Sequence, residues 1–204
     1  MRLNRPGVII VGALAMVLGA YLRSSGHQDS EEVGGKYSGE PGAENSNISP
    51  PKDRTLWLTV PKMEHIKYAE IPTGTSKDEG LFHDYAGVHI EHTGWPWEKE
   101  ANVYIAGHRL GYPHTQSWLA FWDLDKLEKG DEINITDSEL RNYTYVVYEK
   151  SVGKGSSCGP MTSNTLSDLE PVEGKNIVTL QTCTLPDYKK RLLVRGELRG
   201  ISGE

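Results

Sequence analysis

Ile177-Val178-Thr179-Leu180-Gln181-Thr182-Cys183 decides how this chain folds and where its chemistry sits. The run is apolar and rich in β-branched side chains, which suit a pleated, half-buried surface, so it reads as a strand. Side chains alternate across a strand, so Val178 and Leu180 share one face and Cys183 ends the strand on the other. The sulfur is thus carried at a strand end, on the side away from the apolar pair. Two more stretches repeat that arrangement. In Val103-Tyr104-Ile105-Ala106-Gly107-His108, Val103 and Ile105 take one face and His108 ends the other. In Arg191-Leu192-Leu193-Val194-Arg195, Leu192 and Val194 take one face and Arg191 opens the strand on the other. Singly, each residue has an ordinary explanation: a hydrogen-bonded structural His, a solvated Arg, a packed or disulfide-bonded Cys. Together they supply a thiol, a base and a fixed cation, the groups that acyl transfer requires.

Outward from these three, the same pattern continues. Leu56-Trp57-Leu58-Thr59-Val60, stopped by Pro61, is a strand candidate, as are Glu132 to Thr136 after the Gly130-Asp131 turn and Tyr143 to Val152. Ile177 to Cys183 and Arg191 to Leu198 complete the set. Trp118, Leu119, Phe121, Trp122, Leu124 and Leu127 repeat near the helical period, which predicts a short amphipathic helix over 117–128. Six or seven short strands with Gly, Pro and Asp clusters between them predict a mainly β domain, a closed or half-closed antiparallel-rich barrel, over residues 55–204.

The chain has 204 residues and a mass of 22.7 kDa, room for one ordinary domain and an appendage. Five Trp and ten Tyr exclude a wholly disordered chain, because that much aromatic surface demands burial. Net charge is −6 and the pI about 5.7, which argues against a nucleic-acid partner needing a basic face. Residues 1–23 carry Arg2, Arg5 and Arg23 and no acid, and Gly7 to Leu22 is uncharged. Sixteen helical residues reach roughly 24 Å, slightly short of a ~30 Å hydrocarbon core. The segment therefore reads as a short signal-anchor or the apolar region of a cleaved signal peptide; the bulky Leu18 in Leu18-Gly19-Ala20 favours the anchor, with the N-terminus cytoplasmic by its flanking arginines and the rest outside. Residues 24–54, dominated by Ser, Gly, Glu, Pro and Asn, read as a flexible tether.

The two cysteines leave a choice open. An even number in an exported domain fits a Cys158–Cys183 disulfide. Yet Cys158 lies in the loop Gly155-Ser156-Ser157-Cys158-Gly159-Pro160, whereas Cys183 ends an apolar strand.

At this point the chain resembles the sortase family. Thr179-Leu180-Gln181-Thr182-Cys183 matches the sortase signature T-L-x-T-C, Ala106-Gly107-His108-Arg109 the segment around the family's histidine, and Arg191 to Arg195 its arginine strand. The order His, Cys, Arg is also the family's, and the resemblance covers roughly residues 55–200. It implies an eight-stranded sortase β-barrel behind an anchor and tether. It implies a cysteine transpeptidase of Gram-positive bacteria, which cuts a C-terminal LPXTG-type sorting signal between Thr and Gly. The Thr carbonyl is then joined to an amine of peptidoglycan or of another protein. Carried over, Cys183 is the nucleophile, His108 the general acid/base and Arg191 the oxyanion or substrate stabiliser, with Thr182 beside the Cys shaping the site; by alternation Tyr104 shares a face with His108 and is placed to line the substrate channel. Residues 106–131 look most like the class E group of actinobacteria, some of which are thought to prefer LAXTG. A D-P-aromatic lid and a second membrane segment, frequent in pilus-building class C members, are not found, which favours a housekeeping anchoring role. No metal or cofactor is implied. His83, His89 and His92 fit no common zinc spacing.

Two other readings stay open. One is a thiol peptidase with the same triad, in which water resolves the thioester. The other is a non-catalytic wall-binding barrel with a Cys158–Cys183 disulfide.

Overall fold

Alternating strands bury one face each, and the burial is most complete when the sheet curls until its edges meet. The computed structural model describes residues 48–153, 158–159 and 166–203; the anchor read into residues 1–23 lies outside them, as does most of the tether. Among the described residues no helix is long and apolar enough to cross a membrane. Nine strands form one sheet: β1 (Leu56–Thr59), β2 (Lys67–Ile71), β3 (Thr73–Gly74), β4 (Val88–Ile90), β5 (Asn102–Ala106), β6 (Glu132–Asp137), β7 (Asn142–Val152), β8 (Ile177–Cys183) and β9 (Arg191–Ser202). Their order across the sheet is β2-β1-β6-β7-β9-β8-β5-β4-β3. The two outermost strands, β2 and β3, are separated in the chain by Pro72 alone. One residue therefore joins the sheet's two edges and rolls it into a nearly closed barrel. Pairing is antiparallel except for β3 with β4 and β5 with β8.

The inward faces agree with the alternation in the sequence. Leu56 and Leu58, Val103 and Ile105, Ile133 and Ile135, Tyr143 and Tyr145, Val178 and Leu180, and Leu192 and Val194 belong to a single buried cluster. A second, smaller cluster covers the outer face. There Val88, Ile90, Tyr104, Ala106 and Leu193 meet Leu81 and Phe82 of α1 (Glu79–Asp84) and Leu169 of α2 (Leu166–Leu169). α1 starts where the Asp78 carboxylate accepts the Leu81 N–H at 3.2 Å, a side-chain N-cap.

Three expectations need correction. Among the described residues the barrel has nine strands, not eight, because β2, β3 and β4 are too short and mixed to stand out by period. The helix expected over 117–128 is a series of turns with one 3-10 turn at Leu124–Lys126. Leu119 there has φ 55°, the left-handed region that no α-helix tolerates, and its N–H is spent on the Leu110 carbonyl at 2.7 Å. The apolar residues Phe121, Leu124 and Leu127 are nonetheless buried, so their spacing reports burial and not helix. Finally, residues 48–54, read as the end of the tether, lie against the barrel: Ile48 packs on the main cluster and the Ser49 carbonyl accepts from Arg141 Nη1 at 3.0 Å.

Candidate active site

Register brings the three singled-out residues onto neighbouring strands. β5 and β8 run parallel with Ala106 opposite Gln181, and the Gly107 N–H donates to the Gln181 carbonyl at 2.9 Å. Two residues further along each chain, His108 comes level with Cys183. On the other side β8 pairs antiparallel with β9, and Cys183 is the register partner of Arg191. Directly opposed side chains on such a pair lie about 5 Å apart at Cβ. The middle strand thus carries sulfur, with imidazole on one flank and guanidinium on the other.

His108 and Cys183 line a cleft of about 620 Å³ with Ala106, Gln181, Phe82 and Tyr112. Ala106 and His108, like Gln181 and Cys183, are two apart, so each pair shares the strand face turned away from the barrel core. The His108 ring stands edge-on to Phe82 at 5.8 Å and to Tyr112 at 5.5 Å between centroids. These two edge contacts flank the ring, which stays half-buried on the cleft wall. Burial pushes the His108 imidazole below its ordinary value, because the charged form is poorly solvated there. A neutral ring at neutral pH can accept a proton.

Arg191 is fully buried at 1% exposure, and its Nη2 donates to the Gly159 carbonyl at 2.7 Å. The two other nearby arginines are engaged elsewhere. Arg109 pairs with Asp125 at 2.8 Å beneath Trp122, and Arg195 meets Glu149 at 3.5 Å.

Thr182 and Tyr104 do not line the cleft. Alternation turns Thr182 to the barrel interior, beside Leu180, where its hydroxyl donates to the Gly107 carbonyl at 2.8 Å. It ties the end of β8 to the residue before His108. Tyr104 shares the face of His108 but lies four residues back, fully buried under α1 and α2. Among the histidines, His89 is buried, its ring between Thr73, Thr93 and the Gly94 carbonyl at 3.0–3.1 Å. His83 contacts Asp84, and Trp95 stacks on Trp97. The sequence does not single out Phe82 or Tyr112, since α1 is too short to show a period and Tyr112 comes from a connection. Gln181 carried a usable signal, its spacing of two from Cys183.

The second cysteine is in the same cleft. Cys158 is disulfide-bonded to Cys183, with Cα atoms 5.5 Å apart, and the chain holds no free thiol in this form. The Cys158 N–H donates to the Lys189 carbonyl at 3.0 Å.

A sequence profile described as the sortase domain matches residues 58–199. This chain belongs to the sortase family. Among curated proteins, Sortase A of Streptococcus agalactiae serotype III (strain NEM316) is 29% identical over 97 residues, which is 48% of this chain and 36% of that protein. The match therefore spans only about a third of that relative's length. Among solved structures, sortase C1 from Streptococcus agalactiae superposes with a TM-score of 0.56 at 29% identity, covering 76% of this chain and 72% of the other. Sortase A from Corynebacterium diphtheriae, a lid mutant, gives 0.58 at 22% identity over 76% and 74%, a likeness of fold alone. This chain's mainly β, nearly closed barrel is the fold of these relatives.

Proposed function

We propose that Cys183, His108 and Arg191 are the catalytic residues of a sortase that cleaves a C-terminal LPXTG- or LAXTG-type signal between Thr and Gly. The acyl group then passes to an amine of the cell wall. The reading includes class E character, an anchor over residues 1–23 with the N-terminus inside, and a domain facing the wall. The observation that supports it most is the register: parallel β5–β8 and antiparallel β8–β9 pairing set His108 and Arg191 on either side of Cys183.

In the reduced protein the chemistry follows from these positions. The neutral His108 imidazole takes the thiol proton as the Cys183 sulfur attacks the Thr carbonyl. The oxyanion that forms is stabilised by the Arg191 guanidinium. Collapse expels the Gly amine with a proton from His108, leaving a thioester. An incoming amine gives its proton to His108, attacks the thioester carbonyl and releases the thiolate.

A second reading has one observation in its favour. The Cys158–Cys183 disulfide leaves no nucleophile in this form, as expected of a non-catalytic barrel. Incubating the dithiol-reduced protein with an LPXTG or LAXTG peptide, with and without an amine, separates the readings. Amine-dependent ligation supports the transpeptidase, and Cys183→Ala abolishes it. Hydrolysis unaffected by amine indicates a thiol peptidase, and no turnover after complete reduction indicates the inert barrel.

A further inference from the structure

The Cys158-Gly159 pair occupies the cleft in the manner of a bound peptide. Cys158 takes the Cys183 sulfur, and the adjacent Gly159 carbonyl takes the Arg191 guanidinium at 2.7 Å. Both residues line the cleft that also contains His108. The two groups that would meet an acyl substrate are therefore engaged by two consecutive residues of the chain itself.

A structural bridge tends to sit where it staples a core, and this one does not. Neither hydrophobic cluster contains Cys158, and the barrel's strand ladders run from β2 round to β3 without it. Both half-cystines are partly exposed on the wall of an open cleft, so a soluble thiolate can reach the sulfurs. Exposure of that kind marks the reducible disulfides.

We propose that Cys158 is a resolving cysteine that keeps this sortase switched off, and that the cleft is a thiol–disulfide exchange site for an extracellular dithiol reductant. The proposal rests on the reading of Cys183 as the nucleophile. A thiolate of the reductant attacks the Cys158 sulfur, the Cys158–Cys183 bond breaks, and Cys183 leaves as thiolate. Cys183 is the better leaving group, because its register partner on β9 is the cationic Arg191. The reductant's second thiol then gives up its proton and attacks its own sulfur in the mixed disulfide, expelling Cys158, which takes a proton. Two electrons enter the protein and the reductant ends as its own disulfide. Gly159 then has no covalent tie to the site, and the Arg191 guanidinium is released to a substrate carbonyl. An oxidised dithiol partner reverses the sequence and silences the enzyme.

The test uses the full chain in detergent, purified without reductant, and Cys158→Ser prepared alongside. Free thiols, far-UV circular dichroism and cleavage of a quenched LPXTG or LAXTG peptide are read before and after dithiothreitol. The proposal expects no free thiol and at least hundredfold slower cleavage before reduction, two thiols and full cleavage after it, and an unchanged spectrum. Cys158→Ser should cleave at the reduced rate without dithiothreitol. Oxidised protein with no free thiol that cleaves as fast as reduced protein would overturn the switch and leave a sortase. So would loss of the barrel spectrum on reduction, since the bridge would then be structural. Folded, reduced protein and folded Cys158→Ser that are both inert would overturn the nucleophile assignment, and the switch with it.

Discussion

A buried and a half-buried histidine show how surroundings divide residues of one type between structure and chemistry. His89 is fully buried and its pKa is lowered to about 4, with desolvation of the imidazolium the main cause and the hydrogen bond to Gly94 opposing it. His108 is pushed in the same direction for the same reason, but its ring faces a cleft that can exchange protons with a ligand. His89 is enclosed by Thr73, Thr93, Gly94 and the Trp95 ring, away from the cleft, so its shift is expressed in stability. The unfolded state holds a proton on this residue below about 6.5, and the folded state resists one until about 4. Stability from neutral His89 is therefore whole above pH 6.5 and is lost as the pH falls towards 4. At about 1.4 kcal/mol per pH unit the loss is on the order of 3 kcal/mol. Urea titrations at pH 7 and pH 4 should show that fall in the wild type. His89→Gln, which keeps a polar side chain but cannot titrate, should lose about 3 kcal/mol less over the same range. Equal losses in both proteins would remove His89 from the account.

Strand elements were legible in the sequence wherever one face had to be apolar. β5, β8 and β9 begin where the alternation starts, and the faces given to Cys183, His108 and Arg191 are the faces they occupy. The same rule, taken one residue further, turns Thr182 inward, so its place inside the barrel was also readable. Segment 117–128 was not, because helical spacing and the burial of a folded-over loop give the same signal until the left-handed Leu119 is known. Nor did the sequence choose between a free and a bridged Cys183, because Cys158 is 25 residues away in a loop without period. The contact that aligns the site belongs to this scale. The Thr182 hydroxyl spans β8 to the Gly107 carbonyl, and Gly107 is packed so closely that a Cβ there would lie 2.5 Å from the Phe121 ring and 2.7 Å from the Ala86 carbonyl. Thr182→Val removes the donor at constant shape and leaves a buried carbonyl with less than its due, a cost of about 1–2 kcal/mol. In reduced protein it should slow peptide cleavage more than it weakens peptide binding, because it moves His108 against Cys183. Thr182→Ser, which restores the hydroxyl, should recover both stability and kcat. An increase in KM alone would place Thr182 in substrate binding.

At the scale of the whole molecule, the bridge and the barrel contribute to stability by different routes. The barrel is held by strand pairing that returns on itself across Pro72 and by one continuous apolar interior. The disulfide adds a constraint on the unfolded chain, closing a loop of 25 residues. Chain-entropy reasoning assigns a loop of that size about 3.5 kcal/mol at 25 °C. For a chain of this length one kcal/mol moves the melting temperature by about 2–4 °C, so breaking the bridge should lower Tm by roughly 10 °C. Because neither apolar cluster includes Cys158, the reduced protein should still melt in one cooperative step. Cys158→Ser should show the same drop without any reductant, since it deletes the same closure and leaves the strands untouched. Calorimetry of the three forms distinguishes this from a bridge that organises the fold. In that case reduction would broaden or abolish the transition, and the activity gained on reduction would come from a partly unfolded barrel. A lowered but sharp transition in both bridge-free forms means that the protein gives up a measurable share of its stability each time the bridge opens.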